Sequence, residues 1–197
     1  VGELTGAELP DEVILLGGHL DSWDLGTGAH DDGAGCAAAL EALRLIADLG
    51  LRPRRTIRVV LFMDEEFGGT GGRFYAGAPE RRGERHLAAF EADRGGVLPL
   101  AGGWGGGPGV PDRFKAAGPL LQSLGVVQGL VPGGGGVDIA PLAERGVLLG
   151  GLIPDAARYF DGHHSALDVL DAVHPRELEL GAVALAVMAY LIAQDGI

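Results

Sequence analysis

The sequence predicts an α/β fold of three layers, with a mostly parallel central sheet flanked by helices. Two observations carry that expectation. Short, continuous apolar runs of strand length recur along the chain, as strands covered on both faces do, and segments of helical period alternate with them. Glycines such as Gly50 and Gly146 supply the helix stops between them.

The elements follow in order. Residues 13–18 (VILLGG) read as a buried parallel strand. Residues 33–49 have helical period, with Glu41, Arg44 and Asp48 on one face and Cys36, Leu40, Leu43 and Ala47 on the other. Residues 56–63 form a second strand and 87–91 a third, and 113–124 are expected as one helix. A short helix over 138–145 precedes a fourth strand over 147–153. The stretch HPREL opens the last helix, with Pro175 suited to its first turn. The runs GGWGGGPG and GGGG lack a following Lys-Ser/Thr and are expected to be plain loops rather than phosphate cradles.

Composition narrows the function. A chain of 197 residues fits one domain over 1–197, and 47% hydrophobic with 21% charged residues marks a folded one. A net charge of −12 argues against nucleic acid and against anionic membrane surfaces as partners. Cys36 is the sole cysteine, so no intrachain disulfide forms, and within GAGCAAALEAL it reads as a small core residue rather than a nucleophile. The opening VGELTGAELPDE shows no signal-peptide pattern. The longest apolar stretch, 180–193, falls short of the roughly 20 residues a bilayer needs and is expected to be a core helix.

The chemistry-bearing residues follow the strands. After the first comes GHLDSWD, with His19, Asp21 and Asp24, then GAHDDGAG, with His30, Asp31 and Asp32. The second ends at Asp64, Glu65 and Glu66, the third at Glu91 and Asp93 in FEADRGG, and the fourth leads to His163 and His164 in YFDGHHSALD. Carboxyl ends of strands form the ligand crevice of open α/β sheets. Imidazoles and carboxylates without thiolates suit zinc or a similar divalent ion, and there are more of them than one ion needs. Adjacent side chains diverge on an extended backbone. Of Glu65 and Glu66, one is therefore free to bind metal while the other reaches a water, and Asp64 reads as structural.

The stretches GGHLDSWDLGTGAHDDGAG, LGLRPRRTIRVVLFMDEEFGG, FEADRGG and YFDGHHSALD resemble the M28 family of zinc metallopeptidases, its carboxypeptidase Q branch in particular. The resemblance implies a zinc-exopeptidase-like fold and two Zn²⁺ per chain. It places His19 and Asp93 on one zinc, Glu66 and His164 on the other, and Asp31 as the bridge. Glu65 takes the general-base position, and Asp21 matches the acid that orients His19. Three ligand carboxylates against two Zn²⁺ leave one positive charge, which a hydroxide neutralises. The implied reaction is hydrolysis of dipeptides, or of N-terminal residues of short peptides, by a metal-activated water.

Other positions stay open. His163 reads as pocket-lining or structural, and Arg158 as a partner for a substrate carboxylate beside Tyr159. Asp138 belongs to the substrate pocket or to the support of the ligands. His30 is expected to be a loop residue, and His86 and His174 surface or cap positions. Relatives carry an N-terminal helical segment and often an inserted domain before the strand at Val13, which this chain is expected to lack. A homodimer and a secreted or periplasmic setting are suggested by the resemblance alone. Two other functions compete: a non-catalytic binding domain, as in the transferrin receptor ectodomain, and one-zinc acyl transfer of the glutaminyl cyclase kind.

Overall fold

The computed structural model describes residues 1–78, 81–105 and 109–197. Among these residues seven strands form one sheet: β1 (Gly2–Leu4), β2 (Leu9–His19), β3 (Arg55–Phe62), β4 (Arg85–Glu91), β5 (Pro99–Gly105), β6 (Gly129–Pro132) and β7 (Leu148–Pro154). Their order across the sheet is β1-β3-β2-β4-β7-β5-β6. Four pairings are parallel, while β1 on β3 and β5 on β7 are antiparallel.

Helices α1 (Ala34–Asp48), α2 (Thr70–Gly77), α3 (Asp112–Ala116), α4 (Gly118–Leu124), α5 (Ala156–Gly162) and α6 (Pro175–Asp195) complete the chain with short 3₁₀ turns at Ala140–Arg145 and Leu170–Ala172. The period-2 alternation of the central strands sorts their side chains between two cores. Ile14, Leu16, Ile57, Val59 and Phe90 pack with α1 and α6 on one face. Leu15, Val60, Phe62 and Ala89 pack with Tyr75 and Ala76 of α2 and Leu142 of the 3₁₀ turn on the other. The apolar stretch of α6 is a core helix as expected, with Leu185, Met188, Ala189 and Ile192 fully buried. Cys36 is a buried core residue.

Several expectations are corrected. The helix anticipated over 113–124 is two helices meeting at Ala117. Pro119 sits in the first turn of the second, where it lacks an N–H and crowds the residue before it. The first half of GGWGGGPG is strand, not loop: Gly102 and Gly103 lie in β5, and glycine is required at 102 because a Cβ there would press on Met188 of α6. Residues 106–108 of that run fall outside the described residues. The GGGG run is irregular backbone. His86 is not a surface residue; it is buried on β4, 2.8 Å from the Tyr75 hydroxyl. His174 is the N-cap residue of α6.

The register carries the fold to the site. His19 pairs with Phe62, Gly17 with Glu91, and Glu91 with Gly151. The parallel strands β2, β3, β4 and β7 therefore end at one common edge.

Candidate metal centre

His19 is the last residue of β2 and is fully buried. Its Nδ1–H donates to the main-chain oxygen of Asp21 at 2.9 Å, which sets the tautomer of the neutral ring so that Nε2 is the nitrogen available to a metal. That nitrogen faces carboxylates: Asp31 Oδ1 at 3.4 Å, Asp93 Oδ1 at 3.8 Å and Glu65 Oε2 at 4.0 Å. Burial works against a charged His19, but Asp31 and Asp93 outweigh it and push its pKa up to about 12.

Close packing brings the Asp31 loop against β2. A Cβ at Gly18 would strike the Asp32 carboxylate and the backbone of Cys36, so only glycine lets α1 approach the strand here. Asp32 is fully buried and accepts the His19 N–H at 3.1 Å and the Gly35 N–H at 2.9 Å. Burial holds its carboxyl well above the usual range. Asp168 accepts the His30 and Asp31 N–H groups at 2.6 and 3.1 Å. These two buried aspartates thus hold the main chain of both ligand-bearing segments.

The two oxygens of Asp31 face different neighbours. Oδ1 lies toward His19, whereas Oδ2 lies 3.5 Å from His164 Nε2, 2.9 Å from His163 Nδ1, and accepts the Tyr159 hydroxyl at 3.2 Å. Burial raises the Asp31 pKa, but His19 and His163 overcome it and hold the carboxyl below its ordinary value. Burial and then Asp31 keep the Tyr159 phenol far above its ordinary range.

Glu65 and Glu66 follow β3, and their N–H groups donate to Asp21 Oδ1 and Oδ2, both at 3.2 Å. Asp21 therefore orients His19 through its main-chain oxygen, while its carboxylate, 3.8 Å from Nδ1, clamps the glutamate turn. Glu66 Oε2 lies 2.8 Å from His164 Nε2, and Oε1 is buried with no hydrogen-bond partner among the described residues. Burial raises the Glu65 carboxyl above its usual value. Asp64 accepts the Thr70 N–H at 3.3 Å, a structural role as expected.

Among the described residues, three that are not glycine adopt left-handed backbone: Asp64, Arg94 and His164. Each is a candidate ligand or its chain neighbour, and such strain collects where a site demands an exact side-chain direction.

One donor atom each from His19, Asp31 and Glu66 falls within a 4.8 Å cluster, and Asp31, His163 and His164 form another. Ligand atoms about 3.4 Å apart are what one tetrahedral zinc with bonds of about 2.0–2.1 Å demands of any two ligands. The 3.4 and 3.5 Å gaps on the two sides of Asp31, the thiolate-free donor set and the orphaned Glu66 oxygen all fit such an ion.

Behind these residues lie two buried acids. Glu91 accepts the Ile139 N–H at 3.1 Å with one oxygen, while its other oxygen and both of Asp138 have no partner among the described residues. Burial first, and then mutual repulsion with Asp138, pushes Glu91 up to about 8; burial puts Asp138 at about 7, with His19 and Glu65 close enough to act on it. Arg158 is not brought to the cluster: its guanidinium bonds Glu177 at 3.0 Å, and it lines a separate cavity with His30. His30 is buried rather than a simple loop residue, 5.5 Å from the Tyr159 ring. The sequence shows Asp32 among the acids of GAHDDGAG but gives it no role, and it does not mark Asp168 at all. Acids before a helix or in a loop are common, and only the position of their backbone partners reveals the role.

Comparison with known proteins finds a family and a fold. Residues 1–189 match the family model of peptidase family M28. Carboxypeptidase Q of Mus musculus is 40% identical over 193 residues, 98% of this chain and 41% of the relative. The chain thus spans well under half the length of the curated relatives it matches. The crystal structure of a peptidase M28 precursor from Shewanella amazonensis superposes with a TM-score of 0.82 at 38% identity, covering 99% of this chain and 44% of that one. A zinc aminopeptidase from Bacillus subtilis superposes with a TM-score of 0.75 at 19% identity, a likeness of fold, over 100% of this chain and 50% of that one.

Proposed function

The chain belongs to peptidase family M28, and on that premise we propose that residues 1–197 form one catalytic domain, a zinc metallo-exopeptidase with two zinc ions. Its substrates are dipeptides or the N-terminal residues of short peptides. The observation that carries the reading is the double-facing Asp31 carboxylate, with His19 Nε2 at 3.4 Å from one oxygen and His164 Nε2 at 3.5 Å from the other. The names carboxypeptidase Q and zinc aminopeptidase among its relatives support it.

His19 and Asp93 hold one side of the centre, Glu66 and His164 the other, and Asp31 joins them. Bound zinc supplies an acidified water and polarisation of the scissile carbonyl. Glu65 takes the water's proton and returns it to the leaving amine. Asp21 keeps the two glutamates in register through their N–H groups, so that one serves as ligand while its neighbour stays free as base. Tyr159 and His163 adjoin the cluster through Asp31, and Asp138 supports it from behind.

Glu65→Gln tests the assignment. Turnover of a dipeptide panel should fall by roughly 10²–10⁴, with zinc content by elemental mass spectrometry unchanged at two per chain. Loss of zinc in that variant, or undiminished turnover, overturns the division of roles between the two glutamates.

A further inference from the structure

Trp23 stands on a loop, 40% exposed, where burial does not account for its position. Its indole touches both residues assigned to one side of the centre. Nε1–H donates to Glu66 Oε2 at 3.0 Å, the oxygen that lies 2.8 Å from His164 Nε2. The indole also lies against the His164 ring, with centroids 5.0 Å apart at 35°. Phe67 flanks the indole at 5.2 Å, and the His163 ring flanks His164 at 3.5 Å, so four rings stand in a row.

Both contacted residues need outside support. The His164 backbone sits at φ 53, a conformation an L-residue holds only when its surroundings enforce it. Glu66 has one oxygen without a partner, so the indole N–H fixes the rotation of its carboxylate. A carboxylate oxygen has two lone pairs; donation to one leaves the other, and all of Oε1, for a metal. The other side is set by different groups, with His19 held by the Asp21 main-chain oxygen and by Asp32.

We propose that Trp23 is a positioning residue that orients Glu66 and His164 together and so governs the affinity of one zinc of the pair. The proposal rests on the two-zinc reading above. Groups of this kind, which hold ligands without touching the metal, typically change metal affinity 10–100-fold when removed.

The test compares Trp23→Phe, which keeps a ring but loses the donor, with Trp23→Ala, which loses both. Zinc is titrated into the metal-stripped chain against a chromophoric chelator. One of the two zinc constants should weaken roughly 10-fold in Trp23→Phe and roughly 100-fold in Trp23→Ala, with the other constant and the melting temperature of the zinc-free chain unchanged. In a Trp104→Phe background Trp23 is the sole tryptophan, and its emission should respond to one equivalent of zinc, not two. Constants within about twofold of wild type in both variants, or equal weakening of both zincs, overturn the proposal. A wild-type chain that binds one ion overturns the two-zinc reading instead; the role of Trp23 then stands if Trp23→Phe weakens that ion and falls if it does not. A chain that takes up no zinc overturns both.

Discussion

The two ends of the same strands treat charge in opposite ways. Near their starts, cations and anions are matched. Arg55 meets Glu12 at 2.6 Å, Arg85 meets Glu12 at 3.1 Å, and Arg58 makes two 2.8 Å bonds to Glu84 and one to Glu3. At the carboxyl ends, Asp31, Glu65, Glu66, Glu91, Asp93 and Asp138 crowd around His19, His163 and His164, and four carboxylate oxygens there lack partners among the described residues. Buried anions without partners are costly, yet strands in register carry one arrangement at one end and the other at the other. On the function proposed above, the difference separates a charge cluster that stabilises the fold by itself from one that a bound cation would complete.

Breaking the matched end should have the largest effect on stability. Arg58 is 6% exposed, and Arg58→Ala removes the guanidinium that bonds Glu84 and the Tyr75 hydroxyl, leaving Glu84 only the more distant Arg81 at 3.6 Å. The loss should be about 3–4 kcal/mol by urea denaturation, with zinc uptake intact. Glu3→Gln, at the half-exposed edge of the same cluster, should cost about 0.5 kcal/mol. Equal losses from the two would mean that the cluster is no more than surface charge.

Each ion that completes the unmatched end should matter slightly less. Zinc at about 100 times its Kd stabilises by about 2.7 kcal/mol per site, which for a chain of this size raises Tm by roughly 5–10 °C per site. A chelator should reverse the rise near neutral pH, where the converging carboxylates otherwise repel one another. A melting temperature indifferent to both additions would place the two ends in the same class.

The contrast was half legible in the sequence. Strands β2, β3, β4 and β7 announce themselves as continuous apolar runs, and the acids and histidines gathered at the sheet edge, His19, Glu65, Glu66 and Asp93 among them, fall at or just after the ends of those runs in chain order. Three-residue β1, glycine-bearing α2 and β5, and four-residue β6 carry too little periodicity to read. Asp32 and Asp168 act through backbone N–H groups, and Trp23 through a carboxylate distant in sequence, so none leaves a local pattern. The matched end was invisible for the same reason: Arg58 and Glu84 are partners only once β3 and the start of β4 are placed together. His86 was misjudged because a lone histidine amid charged residues (ERRGERH) reads as surface, whereas Tyr75 and the strand enclose it.

That histidine supplies the smallest and most selective test. Burial, helped by Arg58, Arg81 and Arg145, lowers the His86 pKa to about 4 against Glu84's opposing pull. Above pH ~6.5 the imidazole is neutral in both folded and unfolded chains and contributes nothing to the pH dependence. As pH falls from ~6.5 toward 4 the unfolded chain gains a proton that the folded chain refuses, so stability falls with falling pH. The loss should be on the order of 2 kcal/mol across that window. Carboxylates titrate there as well, so the measurement is the difference in slope between wild type and His86→Gln, both stripped of metal. The variant should lose less stability on acidification, because its amide has no proton to take up. Parallel slopes would mean that neither burial nor the neighbouring arginines hold the His86 imidazole neutral, and that end would then be a set of separate ion pairs beside an ordinary histidine rather than one coupled cluster.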